Sequence, residues 1–210
     1  MSKITSINLI DTAKLIRQSL KEAFPDVKFS VRSERYANGS SIHVAWGDGP
    51  STEMVESIAK RFEGSYFDAH TDYPGNLYHR LDEAPVHFGP DHVFCHRQFT
   101  DAAVMRAIDA IYEANRDLLE AQGVARPVAE GFRLGDLSGV YLGPAPKPVP
   151  MHEMFSEVVE PRSQSMFEAI SAWLRATNDR VTSADSPTAN RVTILPADND
   201  KAALPEKRVH

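Results

Sequence analysis

Cys95 is the sole cysteine in this chain of 210 residues. An intramolecular disulfide is therefore excluded, and a reducing, cytoplasmic compartment is the expectation. No apolar run approaches the roughly 18–20 residues that cross a bilayer. The opening MSKITSINLIDTAK lacks the basic start and apolar stretch of a secretory signal. No membrane partner is expected. Cations are not in surplus either, with 23 Lys and Arg against 29 Asp and Glu and a net charge of −6. That balance argues against a dedicated duplex-DNA binder, although a local basic patch can hide inside it. The chain has no H-E-x-x-H, no P-loop and no complete G-x-G-x-x-G, so no cofactor is expected and a non-enzymatic role is favoured. There is no internal repeat.

Composition is otherwise ordinary for a globular protein, with 42% hydrophobic and 25% charged residues, enough apolar material for a core. The most patterned stretch is FPDVKFSVRSERYANGSSIHVAWGDGP, Phe24 to Pro50. Asn38-Gly39 tolerates positive φ at both central turn positions and predicts a two-residue hairpin loop. Under that register paired residue numbers sum to 77, so Arg35 faces Ile42, Val31 faces Trp46 and Glu34 faces His43. Alternation then gathers Phe29, Val31, Ile42, Val44 and Trp46 on one face. The other face carries Lys28, Ser30, Arg32, Glu34, Tyr36, Ser41 and His43.

The surrounding elements follow from spacing and caps. A helix over Asp11–Ala23, capped by Asp11 or Thr12, carries the stripe Leu9, Ala13, Ile16, Leu20 and Phe24, and Pro25 ends it. Gly47-Asp48-Gly49-Pro50 reads as a turn, and Ser51 or Thr52 caps a second helix running to about Phe62, with Gly64 as its stop. A third strand over Tyr66–Asp72, a long loop over Tyr73–Pro90 and a fourth strand over Val93–Phe99 come next. Thr100 caps a third helix over Asp101–Gln122, striped by Val104, Ile108, Ile111, Leu118 and Leu119. GPAPKPVP, Gly143 to Pro150, is an extended linker. A helix over Gln164–Ala176 and a short strand over Arg191–Leu195 complete the pattern. The expected fold is α+β: an α-β-β-α-β-β-α core with a mainly antiparallel sheet, helices on one face, and a looser C-terminal extension. The expected division is residues 1–123 and residues 124–210.

FPDVKFSVRS, VAWGDGP, FEGSYFDAHTD and VHFGPDHVFCHR, in that order, resemble large polyvalent-protein-associated domain twenty-nine over about Thr12–Arg97. The ordered set carries the likeness; any single block is weak. Where the family pattern has Phe-Asp-Gly-Met, this chain has Phe67-Asp68-Ala69-His70. The resemblance implies a protein of a bacteriophage or conjugative element, working in a bacterial host. It implies a part in establishing the element or blunting host defence, and no defined reaction or catalytic residue.

Several groups of residues are candidates for chemistry. Lys28, Arg32, Arg35, Tyr36 and His43 could track a nucleic-acid backbone and stack a base; the plainer reading is a solvated face. Only Tyr36 is interleaved there as an aromatic, whereas single-strand binders usually carry several. Asp68, His70 and Asp72 share one side of a strand and are suitable metal ligands, with His79, His87, His92 or His96 as further donors. Alternation alone makes such triplets common, so a structural explanation is favoured. Cys95 and His96 point to opposite faces and are poorly placed as a nucleophile and base. Phe167, Trp173 and Leu174 could dock a partner or cover the domain's own core. These observations point to a binding protein of a mobile element. A host protein or protein–nucleic acid complex, such as a CRISPR-type or restriction defence complex, is the first expected partner. Single-stranded nucleic acid is the second, a metal-dependent hydrolase is the enzymatic alternative, and self-association stays open.

Overall fold

The computed structural model describes residues 4–37, 39–68, 73–144, 163–177 and 181–195. In chain order its elements are β1 (Thr5–Ile7), α1 (Leu9–Ala23), β2 (Ser30–Tyr36), β3 (Gly39–Gly47), α2 (Thr52–Ala59), β4 (Ser65–Asp68), β5 (Tyr73–Asn76), β6 (His79–Leu81), β7 (Ala84–Phe88) and β8 (His92–Gln98). There follow α3 (Asp101–Ala114), α4 (Arg116–Ala121), α5 (Ala129–Leu134), α6 (Met166–Ala176), α7 (Pro187–Asn190) and β9 (Val192–Ile194). The fold is α+β with mixed sheets. Contacts divide it into two units. One takes the described residues up to Gln98 together with 181–195, and the other those from Phe99 to Thr177.

The first unit contains a three-stranded sheet ordered β2-β3-β8 and a four-stranded sheet ordered β1-β7-β6-β9, with β4 and β5 as a separate ribbon. β2 runs antiparallel to β3, and β3 runs parallel to β8. The parallel pair needs a long crossover, which α2 and the strands after it supply. Helix α1 packs on β2 and β3, and α2 packs on β8. The α1 stripe is buried as expected: Ile16 and Leu20 are fully enclosed beside Ile42, Val44, Trp46, Val55 and Val93. Each such aliphatic side chain contributes roughly 1.5–3 kcal/mol by leaving water. Phe29 sits between Phe24 and Trp46, with ring centroids 5.9 and 5.8 Å away. The indole N–H of Trp46 donates to the Pro50 carbonyl at 3.0 Å, which ties the Gly47–Pro50 turn to the core.

Several expectations need correction. Tyr36 pairs with Gly39 and Val31 with Val44, so paired numbers sum to 75 rather than 77. The two residues between the strands are Ala37 and Asn38, and Asn38 lies outside the described residues. Gly39 belongs to β3 for a steric reason. A Cβ there would lie 2.4 Å from the Asp91 carboxylate, which accepts from the Ser40 N–H at 2.7 Å. The slip is by two residues, so every side chain keeps its face. Helix α1 begins at Leu9 and is capped by Asn8, whose side chain accepts from the Asp11 N–H, rather than by Asp11 or Thr12. Thr12 is buried and donates back to the Asn8 carbonyl at 2.9 Å. Ser51 and Thr100 cap α2 and α3.

The expected loop over Tyr73–Pro90 holds three strands instead. Leu81 pairs with Ala84, and the two loop residues Asp82 and Glu83 both have positive φ, at 49° and 65°. This is a tight hairpin without the glycine that would signal one. The Arg191 guanidinium secures it, with Nε donating to both Asp82 carboxylate oxygens at 2.7 and 2.9 Å. Gly64 does not end a helix. A Cβ there would sit 2.1 Å from the Phe88 carbonyl oxygen, so the residue allows two backbones to meet. The expected strand over Tyr66–Asp72 is described only as far as Asp68.

In the second unit the expected helix over Asp101–Gln122 breaks at Asn115, where φ is −126°. The break changes the helical phase, so Leu119 is fully buried while Leu118, one of the expected stripe residues, is exposed. Helix α6 opens with a capping box between Ser165 and Glu168. Phe167 stacks on Phe132 with centroids 4.9 Å apart, and Trp173 packs against the same cluster as Ile170 and Leu174. The α6 stripe therefore covers this unit's own core. Most of the Pro-rich Gly143–Pro150 segment lies outside the described residues.

Residues 181–195 are latched to the rest of the first unit at Glu22. Its carboxylate accepts from the Thr188 N–H at 2.9 Å, the Thr188 hydroxyl at 2.7 Å and the Ser186 hydroxyl at 2.9 Å. Partial burial would raise this carboxyl. Donors from Thr188, Gln18 and Ser186 outweigh that and hold it below the usual range. Hydrogen bonds to a charged group contribute about 1.5–3 kcal/mol. Glu22→Ala should therefore lower the chemical-denaturation stability by about that much, and an unchanged midpoint would show the latch to be idle.

His79, the first residue of the interior strand β6, is fully buried, and neither ring nitrogen has a hydrogen-bond partner. It lies 4.9 Å from the Phe88 ring in an edge-on arrangement. Burial, with a smaller push from His87, lowers its pKa to about 4 from the ordinary imidazole value of 6.5. The unfolded chain thus takes a proton that the folded chain refuses, and stability falls as pH drops from about 6.5 toward about 4. Denaturation midpoints should decline over that window in the wild type and decline less in His79→Leu. Parallel declines would contradict the assignment.

Candidate functional site: the open face of the three-stranded sheet

Burial alternates along β8 and along β3 from Ile42 onward, Ser41 being buried although it has the outward parity. Ile42, Val44, Trp46 and Val93 are buried, while Phe94 and His96 are exposed. Helices α1 and α2 cover the first set, so the second set forms an outward face. Register fixes its rows. Arg32 pairs with His43, and His43 pairs with Phe94. Glu34 lies opposite Ser41, which lies opposite His92; Ser30 and Ala45 lead to His96 in the same way.

The rings on this face touch one another. His43 lies 5.2 Å from Phe94, and it stacks on His96 at 5.7 Å with an 11° interplanar angle. Phe94 is 6.4 Å from His96 and 5.9 Å from His92. The Phe94 side chain is 42% exposed and Tyr36 is 48% exposed, unusual for aromatic rings with a core available. The His43 Nε2 lies 3.1 Å from the Ser41 hydroxyl and 3.4 Å from the Glu34 carboxylate, which fixes the imidazole in place. A rigid platform of rings with a guanidinium at one side can stack planar groups and attract anions.

Both edges of this sheet are tied down. The Arg17 guanidinium donates to the Val31 carbonyl on the β2 edge at 2.6 Å. On the β8 edge the Val93 N–H donates to the Glu63 carboxylate at 2.7 Å, and burial holds that carboxyl above the usual range. These contacts occupy backbone groups that would otherwise invite strand addition.

Of the residues singled out in the sequence, Arg32, Tyr36 and His43 share the open face. Arg35 occupies the alternate parity and is exposed on the opposite side of β2. Lys28 is exposed in the segment leading into β2. Lys14 is paired to Asp11 at 2.7 Å on α1. The basic stretch Lys14–Arg35 is therefore not a single surface. The residues missed were those of β8. The motif VFCHR alternates, but nothing local says that β8 lies beside β3, so Phe94, His92 and His96 could not be added to the hairpin face.

The metal hypothesis gains no geometry. The Asp68 side chain, His70 and Asp72 lie outside the described residues. Among the described residues no group of three His, Cys, Asp or Glu could hold a metal ion. His79 and His87 belong to the four-stranded sheet, and the His87 Nε2 contacts the Gly64 carbonyl at 3.1 Å. Gly47–Pro50 is a turn braced by Arg97, which donates to the Asp48 and Gly49 carbonyls at 3.0 and 2.8 Å. Cys95 faces α2, and burial, reinforced by Glu56, pushes its thiol up to about 12. It stays protonated and unreactive. A thiol reagent at about pH 8 should label Cys95 slowly in the folded chain and rapidly in denaturant; fast labelling of folded protein would contradict this.

The fold and face define an α+β domain with one covered and one open sheet surface. Residues 7–100 match the family described as Large polyvalent protein associated domain 29. That span runs from the end of β1 to just past β8 and so contains the whole open face. The match supports the resemblance carried by the sequence blocks; 181–195, which completes the four-stranded sheet, lies outside it. Searches of curated proteins and of solved structures gave no match. Among the described residues no helix is long and apolar enough to cross a membrane.

Proposed function

We propose that this chain is a non-enzymatic accessory protein of a mobile genetic element that binds single-stranded nucleic acid on the open face of β2-β3-β8. The observation that carries the reading is the exposed Phe94 ring beside His43 and His96, in one row with Arg32. Bases have π-faces of any sequence, and stacking on an aromatic contributes about 1–3 kcal/mol per base. Open sheet faces bearing such rings are a recurrent platform for single strands. A duplex hides its base faces and is not expected to compete. The mobile-element setting rests on the family match and on what the resemblance implies.

Host-protein binding, including interference with a defence complex, has the family context in its favour. The ring-lined face supports nucleic acid over it, because flat rings beside a guanidinium suit both base stacking and phosphate contact. The acidic total, −6, is a sum over the whole chain and does not by itself set the charge of this face. Glu34 is the carboxylate at its outward strand positions.

Fluorescence anisotropy with a labelled twelve-nucleotide thymidine strand at low salt tests this. Saturable binding is expected, weakening with salt by a log–log slope of about −0.7 per phosphate neutralised. Phe94→Ala should weaken it by about tenfold, in line with the stacking magnitude, and Arg32→Glu should weaken it further. Absence of binding at low salt, or equal binding by the Arg32→Glu, Phe94→Ala double variant, would overturn the proposal.

A further inference from the structure

The open face has few fixed charges for a site that meets a polyanion. At its outward strand positions Arg32 is the permanent cation and Glu34 the permanent anion, and the two offset each other. Three imidazoles, however, share the surface: His43 from β3, and His92 and His96 from β8. Imidazole is the side chain whose charge changes in the mildly acidic range. Protonation would turn a balanced surface into one with an excess of up to three positive charges, set among the rings that would stack the bases.

We infer that binding of single strands by this face is controlled by protonation of His43, His92 and His96, and tightens in mild acid. The inference rests on the nucleic-acid reading above and names the regulation of that same site. The geometry explains why ligand and proton would act together. His43 and His96 stack at 5.7 Å with nearly parallel rings. Two imidazoliums so close repel, and a phosphate laid across them relieves the repulsion. Bound strand thus favours protonation, and protonation favours bound strand by the same factor.

The neighbouring charges do not compensate. Glu34 on β2 lies 3.4 Å from the His43 Nε2 and is already balanced by Arg32 on the same strand face. Glu63 interacts electrostatically with His92 but is already hydrogen-bonded to the Val93 N–H. Asp91, preceding β8, is engaged by the Ser40 N–H. Lys28 is exposed in the segment before β2 and outside the strand positions of the face. Glu56 and Lys60 act on Cys95, which has the opposite parity on β8.

The test uses the full chain and the labelled thymidine strand at about pH 8 and about pH 6, each over a salt series. Binding should be about tenfold tighter at the lower pH, with the salt slope steeper by about 0.7 for each imidazole charged. In a His43→Gln, His92→Gln, His96→Gln variant the ratio of affinities at the two pH values should fall to about one. His96→Gln alone, at an exposed position, should reduce the ratio part way and serves if the triple variant is unstable. Equal affinity and slope at both pH values would overturn this inference while leaving the nucleic-acid reading standing. So would a triple variant whose ratio matches the wild type, because the response would then come from the protein's general charge. Failure to bind at either pH would overturn both.

Discussion

Side chains that alternate along β3 cannot all be enclosed, because α1 and α2 cover one surface of the β2-β3-β8 sheet. Ile42, Val44 and Trp46 take the covered side, so Ser41, His43 and Ala45 must take the other. The same parity runs through β8, where Val93 and Cys95 turn inward and Phe94 and His96 outward. Everything proposed for the protein depends on this division. The covered side provides cohesion, and the rings left outside become available to a ligand without any rearrangement of the core.

The sheet is also held at its margins. Arg17 holds the β2 edge, Glu63 holds the β8 edge, and Asp91 clamps the start of β3 to the start of β8. None of these three side chains is among the rings of the open face. Rigidity is therefore built from polar contacts at the rim, and the surface itself is left to aromatic and imidazole groups. Preorganised rings lose little side-chain entropy on stacking, which favours even a modest platform as a binding surface. Farther away, Glu22 and Arg191 fasten 181–195 to the domain, so that β9 completes the four-stranded sheet. The matched family segment does not include that strand, and in this chain the fold draws it from residues close to the C-terminus.

Much of the fold was legible because it is local. The stripes of α1 and α2, the Ser51 and Thr100 caps and the two faces of the hairpin follow from spacing alone. Phe29 and Trp46 share the buried side, as the alternation required. The register was misread by two residues, since Asn38-Gly39 carries a turn signature while Gly39 serves a close approach to Asp91. The β6–β7 hairpin was illegible for the converse reason. Its turn is Asp82-Glu83, residues with no glycine, held by an arginine more than a hundred positions away. The break at Asn115 likewise has no Pro or Gly to announce it.

The candidate site was half legible. Arg32, Tyr36 and His43 came from the hairpin, whereas Phe94, His92 and His96 came from a parallel pairing that no local pattern encodes. That pairing is also what brings the rings of β3 and β8 into one group. One interleaved aromatic is weak support for a nucleic-acid surface; a contiguous group of rings is stronger. The histidines named beside Asp68, His70 and Asp72 are divided between two sheets, a separation that spacing alone does not show.

The most direct measurement follows the aromatic and imidazole carbon–proton resonances by NMR while an unlabelled single strand is titrated in. The account predicts that Phe94, His43 and His96 shift together and saturably, with Trp46 and Phe29 beneath the helices unmoved. Shifts confined to Trp46 and Phe29, or to the second unit, would contradict it.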